Sequence, residues 1–252
     1  MTRLVWLDDA TPFPDPALAL DGGLLAAGGT LSVARLEEAY RNGIFPWFNK
    51  GDPILWWSPD PRMLLTCAQF RASASLRKRL RQLARLEAAR AAGAMKVTTD
   101  TAFSQVVQAC ADPRPGAPDR RPPGTWISSD IAAAYSAWHD AGGAHSIEAW
   151  MEGELVAGLY GVCLGRFFFG DSMFTRITDG SKIALAYLVN FLQVRGIHHI
   201  DCQQETPHLS SLGARAVSRE RFLDLLRTAL AHPSPEWGRG QILQSGQLAG
   251  LH

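Results

Sequence analysis

Leu76, Leu80, Leu83 and Leu86 recur at three- and four-residue spacing, the period of a helix with one buried face. They predict a long helix from Ser73 or Ser75 to Gly93. Val33, Leu36, Ala39 and Tyr40 repeat the pattern in a shorter helix, with Ser32 as its N-cap and Gly43 as its stop. Two more helices follow. One is capped by Asp100 and carries Phe103, Val106, Val107 and Cys110. The other is capped by Ser128 or Ser129 and carries Ile131, Ala134, Tyr135 and Trp138, ending at Gly142. Then the texture changes to long apolar runs. His145 to Met151, Leu155 to Leu164 and Arg166 to Phe169 read as strands, with Glu152-Gly153 as a hairpin turn between the first two. A helix over Gly180 to Arg195, a strand over His198 to Gln203 and a helix over Ser218 to Ala231 complete the series.

This order places an α/β arrangement around a central sheet. Three segments escape the pattern. Thr11 to Pro16 is proline-broken, Asp112 to Gly124 holds five prolines and three arginines and reads as a loop, and His232 to His252 reads as a loosely packed tail.

Charge adds one local feature. The 252 residues carry a net charge of only +1, so no uniform basic coat exists. Yet between Arg71 and Lys96 stand eight basic residues, Arg71, Arg77, Lys78, Arg79, Arg81, Arg85, Arg90 and Lys96, against one acid, Glu87. Such a stretch is either a solvated basic face or a surface for phosphates. No two of Cys67, Cys110, Cys163 and Cys202 have zinc-ligand spacing, His198-His199 lacks a spaced partner, and Gly22 to Gly29 has no following Lys-Ser/Thr. No metal is therefore expected. No run approaches the ~20 apolar residues of a membrane helix, and Met1 to Asp9 does not read as a signal peptide. The expectation is a soluble, cytoplasmic protein without a membrane partner.

Several ordered words carry a resemblance. They are Gly28-Gly29-Thr30-Leu31-Ser32, Ala39 through Phe48, Ile54 through Arg62, Gly124-Thr125-Trp126-Ile127, His145-Ser146-Ile147-Glu148, Leu159-Tyr160-Gly161-Val162, Phe169 through Phe174, Ser181-Lys182, Ile200 through Gln203 and His208 through Ala214. Together the sequence resembles the bacterial leucyl/phenylalanyl-tRNA–protein transferases over about residues 12 to 225. The resemblance implies transfer of Leu or Phe, and Met less well, from aminoacyl-tRNA to proteins or peptides beginning with Arg or Lys, feeding the N-end rule degradation route. It also implies no cofactor, a monomer, and a fold of the α/β (α+β) class. That fold has a small N-terminal domain, set here at 1–65, and a GNAT-like acyltransferase domain with a central mixed sheet at 66–232. A tail, 233–252, follows.

The family match also suggests site residues. Asp201 and Gln203 are two apart on a predicted strand and so point to one face. The matching pair is proposed to act together on the incoming amine, and it is otherwise a structural pair closing a hydrogen-bond network. Asp171 stands where the family usually has Glu. It contacts the amine or the acceptor's basic side chain, or merely caps a turn beside Gly170. With Asp201 and Glu205 it is a nearby carboxylate for a cationic acceptor. Leu159, where Met is often found, matches positions lining the donor side-chain pocket, as do Phe168 and Ile200; each is otherwise plain core. Trp56, Trp57 and Trp126 are candidates for stacking on the terminal adenine, with at least one of Trp56 and Trp57 in the core. Arg71, Arg77, Lys78, Arg79 and Arg81 are candidates for tRNA phosphates.

Two alternatives stay open. A CoA-dependent N-acetyltransferase needs a pyrophosphate loop that Thr175 to Ser181 lacks. A non-enzymatic RNA-binding module explains the basic helix and tryptophans but not the grouped acids.

Overall fold

The structure, a computed structural model, describes residues 4–89, 91, 93–112 and 126–249. In chain order the elements are β1 (Val5–Leu7), β2 (Leu24–Gly28), α1 (Val33–Arg41), β3 (Phe45–Pro46), β4 (Leu55–Trp57), β5 (Arg62–Thr66), α2 (Ala74–Ala88), β6 (Lys96–Thr99), α3 (Phe103–Ala111), α4 (Ser129–Asp140), β7 (Ala144–Met151), β8 (Glu154–Leu164), β9 (Phe167–Thr175), α5 (Gly180–Gln193), β10 (His199–Gln203), α6 (Pro207–Ser211), β11 (Arg215–Val217), α7 (Arg219–Leu230) and β12 (Gly240–Ile242). The Asp112 to Gly124 loop, after Asp112, lies outside the described residues, as do Gly124-Thr125 and Arg90.

The strands form two sheets, a small one in the order β1-β2-β4-β3 and a large one in the order β11-β5-β10-β9-β8-β7-β6-β12. The large sheet is mixed, because β9 and β10 run parallel while its other neighbours are antiparallel. The chain is thus an α/β protein around a central mixed sheet.

Alternation along the central strands feeds two cores. One holds Leu65, Val97, Leu159, Phe168 and Ile200 with the apolar stripes of α2 and α5. The other holds Tyr160, Val162, Phe167 and Phe169 with α1, α3, α4, α7 and the small sheet. The small sheet lies within residues 1–65, but β5, at the end of that span, belongs to the large sheet. Leu36, Tyr40 and Trp56 share a core with Phe103 and Tyr135 of the later chain.

Four readings need correction. The helix α2 stops at Ala88 rather than near Gly93. Asp100 does not cap α3: it has φ +55° and turns its carboxylate to the Ser146 N–H and His145. The strand expected over Arg166 to Phe169 runs on to Thr175, because β8 pairs with it along its whole length. Finally, the tail is not loosely packed through Ala249. β12 pairs with β6, and Trp237 is buried against His145, Phe168 and Phe191 while its indole N–H donates to Thr99 Oγ1. A Gly- and Pro-rich composition concealed that single anchoring aromatic.

Candidate active site

β9 and β10 are register partners at only two positions, Phe168 with Ile200 and Phe169 with Asp201. Beyond them each strand bulges. In β9, Gly170 pairs with Gly161 and Ser172 with Tyr160, so Asp171 is an extra residue without a partner on β8. The opposing residue must be glycine: a Cβ on Gly161 would lie 2.0 Å from the Phe169 carbonyl oxygen. In β10 the extra residue is Cys202, and Gln203 is turned to φ +61°. Bulges re-aim side chains, and here two adjacent ones bring Asp171 and Gln203 together. Gln203 Nε2 donates to Asp171 Oδ1 at 3.0 Å.

Two helices supply hydroxyls to the same carboxylate. Tyr40, from α1, donates a very short hydrogen bond to Asp171 Oδ1 and lies 2.5 Å from the Tyr135 hydroxyl of α4. Tyr135 itself reaches Asp171 Oδ1 at 3.5 Å. Burial pushes both phenols well above their usual range, followed by the neighbouring Asp171 carboxylate, so they stay protonated donors. Asp171 as a residue is half-buried, but its Oδ2 carries no exposed surface and no hydrogen bond among the described residues. Burial raises its carboxyl to about 8, with Tyr40 opposing and the charge of Asp201 adding to the rise.

Asp201 has a different setting. It is fully buried, and both oxygens are taken by Arg62, through Nε at 2.8 Å and Nη2 at 2.6 Å. Arg62 lies between the rings of Phe45 and Phe222, 4.7 and 4.5 Å from their centroids, and its Nη1 donates to the Gly43 carbonyl. Asp201 Oδ1 also accepts the Gln203 backbone N–H at 2.8 Å. Asp201 therefore braces the bulge that aims Gln203, and its side chain has no exposed surface. The expectation that the two side chains share a face by simple alternation fails at Cys202.

Residues 64–227 match the family model described as leucyl/phenylalanyl-tRNA protein transferase, and residues 29–60 match the model of its N-terminal domain. The chain belongs to the leucyl/phenylalanyl-tRNA–protein transferase family. A protein of that name from Bordetella petrii is 56% identical over 248 residues, spanning 98% of this chain and 96% of that one. One from Bordetella bronchiseptica is 55% identical, with 98% and 95% covered. One from Nitrosospira multiformis is 52% identical, with 88% and 90% covered.

The other residues singled out from the sequence fall into three groups within this family member. Leu159, Phe168 and Ile200 are gathered in one core cluster under α5, each almost fully buried. Trp56 is fully buried with its indole N–H on the Gly28 carbonyl, so the stacking role is corrected for it. Strand alternation turns its neighbour outward: Trp57 is half-buried, bonds the Trp47 carbonyl, and packs edge-on against the exposed Trp47 ring. Trp126 is half-buried against the second core. Arg71, Arg77, Lys78, Arg79 and Arg81 are all exposed. Glu87 turns inward instead, accepting from the Tyr187 hydroxyl and the Gln244 N–H, which leaves the outer face of α2 basic.

Sequence reasoning missed Arg62, Tyr40 and Tyr135 as site residues. Helix periodicity marked the tyrosines as apolar-face positions, and only their hydroxyls signalled a need for a polar partner in the core. Asp100, His139 and His145 also come together. Their facing atoms are already used: Asp100 takes the Ser146 N–H and His145 Nδ1, and His139 Nδ1 pairs with the Ala144 carbonyl. This arrangement is a hydrogen-bonded brace between α4, β7 and the turn before α3. No helix among the described residues is long and apolar enough to cross a membrane.

Proposed function

We propose that this protein transfers leucine or phenylalanine, and methionine less well, from aminoacyl-tRNA to the N-terminal Arg or Lys of acceptor proteins. It acts as a cytoplasmic monomer that feeds the N-end rule route. Membership of the family over both domains supports the reaction class. The observation that carries the chemistry is the hydrogen-bonded pair Asp171–Gln203 where β9 and β10 part.

The reaction is aminolysis of an ester. The acceptor's amine loses a proton and its nitrogen bonds the aminoacyl carbonyl carbon. The ester C–O bond then breaks, and the terminal ribose oxygen gains a proton. No proton is created or lost overall, so the site needs a group that can hold one near neutral pH. Asp171, with its carboxyl at about 8, fits that task. Gln203, held by its side chain to Asp171 and by its backbone to Asp201, orients the amine. The ester is already activated, so orientation supplies much of the acceleration. Asp171 is one methylene shorter than the family's usual Glu, and Tyr40, Tyr135 and Gln203 converge on it to fix its position.

The test mixes purified protein, Leu-tRNA carrying labelled Leu, and a peptide beginning with Arg, without CoA or ATP. Label on that peptide, and not on the same peptide beginning with Asp or Ala, is the expected result. No label with Leu-, Phe- or Met-tRNA would overturn the reading.

A further inference from the structure

Phe168 pairs with Ile200 of β10, one step before Asp201, and stands three residues before Asp171 on β9. It is fully buried in the core under α5. Its ring is held from two directions. Within the sheet it lies against Gly161 of β8, where a Cβ would be 2.8 Å from two of its ring carbons. Trp237, from the C-terminal segment, also stacks on it, with centroids 5.6 Å apart and planes at 20°.

The Trp237 indole is itself fixed. Its N–H donates to Thr99 Oγ1 at 2.7 Å, and that hydroxyl donates onward to the Ser146 carbonyl at 2.8 Å. His145 stacks on the indole at 3.9 Å, and Phe191 of α5 meets it edge-on at 5.0 Å. The chain after it is tied down as well. β12 pairs with β6, the Gln244 N–H donates to Glu87, and the Gln244 carbonyl accepts from Asn190. A residue that only fills a core needs to be apolar and about the right size. Trp237 has in addition a polar anchor and a set tilt against one aromatic ring of β9. It follows Pro233 and Pro235, far along the chain from Phe168, so no local pattern links the two.

We propose that Trp237 is a positioning residue for donor selection, a backstop that fixes the Phe168 ring and so sets how large a donor side chain the site accepts. This rests on the transferase reading, with Phe168 lining the donor side-chain pocket. Leu, Met and Phe are all apolar, so the site separates them by size and shape. One methylene in an apolar pocket changes kcat/KM by about 10–200-fold, so a small displacement of a lining ring is legible in the ratio between donors. With a smaller side chain at 237, the Phe168 ring retreats into the vacated space. The bulkier donor, Phe, then gains on Leu.

The experiment measures kcat/KM for Phe-tRNA and for Leu-tRNA, each with the Arg peptide. The proteins are wild type, Trp237→Phe, Trp237→Leu, Thr99→Val, Phe168→Leu and Leu226→Ala. Leu226 is a fully buried residue of α7 in the other core. The Phe:Leu ratio does not depend on the folded fraction, because both donors meet the same molecules. It is expected to rise roughly threefold in Trp237→Phe and tenfold in Trp237→Leu. Thr99→Val keeps the indole but removes its anchor, so a smaller rise in the same direction is expected. Leu226→Ala is expected to lower the melting temperature and leave the ratio alone, and KM for the peptide stays unchanged in the Trp237 variants. Trp237→Phe keeps much of the ring volume, so the comparison stands even if Trp237→Leu fails to fold. A wild-type ratio in folded Trp237→Phe and Thr99→Val would overturn the proposal, as would an equal rise in Leu226→Ala. If Phe168→Leu changes the ratio and the Trp237 and Thr99 variants do not, the backstop fails and the pocket stands. If none of them changes it, the pocket assignment fails too. No transfer by wild type from either donor would remove the transferase reading and this proposal with it.

Discussion

Arg62 and Asp201, one at the start of β5 and the other in β10, form a two-point ion pair, Nε to Oδ1 at 2.8 Å and Nη2 to Oδ2 at 2.6 Å, with neither side chain exposed by more than 1%. A buried pair costs desolvation, and its geometry must repay it. Here the pair is bidentate, stacked between Phe45 and Phe222, and tied to the Gly43 carbonyl and the Gln203 N–H. It joins the turn after α1 to the bulge that aims Gln203.

Removing one partner leaves the other charged and buried. Arg62→Ala or Asp201→Ala is expected to cost about 3–5 kcal/mol of stability, read by urea unfolding. Arg62→Lys is expected to be damaging as well, since an ammonium cannot replace the two-point contact. Replacing both, Arg62→Met with Asp201→Leu, is expected to recover most of the stability and none of the transfer, because the Gln203 N–H loses its acceptor. Full activity in the double variant would show that this pair does not position the site.

Asp171 gives the molecule a pH signature. Its carboxyl moves from an ordinary 3.8 to about 8, chiefly through burial. Between those values the folded protein holds a proton that the unfolded chain has released, so this group's contribution to stability declines as pH rises and levels off above about 8. Asp171→Asn keeps an acceptor for Tyr40 and Gln203 but cannot ionise. Unfolding midpoints between pH 5 and 9 are expected to fall more for wild type than for the variant. Parallel curves would argue against a raised carboxyl.

The same titration bears on turnover. With saturating substrates, kcat of the wild type is expected to rise with pH and level off above about 8. Asp171→Asn is expected to lose that rise and fall about 10²-fold or more, the usual worth of a positioned proton acceptor. Tyr40→Phe removes a hydrogen bond that holds the carboxyl down, so its inflection is expected at higher pH. An unmoved inflection in Tyr40→Phe would mean that the rise belongs to the substrate amine.

Trp56 and Trp57 separate packing from binding. Trp56→Ala empties a fully buried site and is expected to cost about 3–5 kcal/mol, with tRNA affinity unchanged for the folded fraction. Trp57→Ala, at a half-buried position, is expected to cost less stability and, with the stacking role, to weaken aminoacyl-tRNA binding. Binding assays and thermal melts on the two variants would expose a reversed assignment.

Trp237 tests the end of the chain. Trp237→Ala is expected to destabilise by about 3–5 kcal/mol, since the ring packs on His145, Phe168 and Phe191. A melt like that of wild type would restore the loosely packed tail read from composition.

The sequence by itself determined what depends on neighbours along the chain. Leucines at helical spacing placed α2, Glu152-Gly153 placed the β7–β8 hairpin, the ordered motifs identified the family, and eight bases against one acid marked the basic helix. Only the tertiary structure decided the site. Alternation put Asp201 and Gln203 on one face, but the extra residue Cys202 broke that alternation, and a bulge depends on the partner strand rather than on the strand's own residues. Periodicity marked Tyr40 and Tyr135 as buried, yet where their hydroxyls point depends on α1 and α4 meeting over β9. It told Trp56 from Trp57 only as opposite faces, and the packing of the small sheet settled which was core. Arg62 and Asp201 lie 139 residues apart, so nothing local to either foretold that one would neutralise the other. Short-range pattern fixes elements because their hydrogen bonds and buried faces repeat along the chain. A proton-holding site is made by contacts across it, and burial, which raises Asp171, exists only once the strands have closed around it.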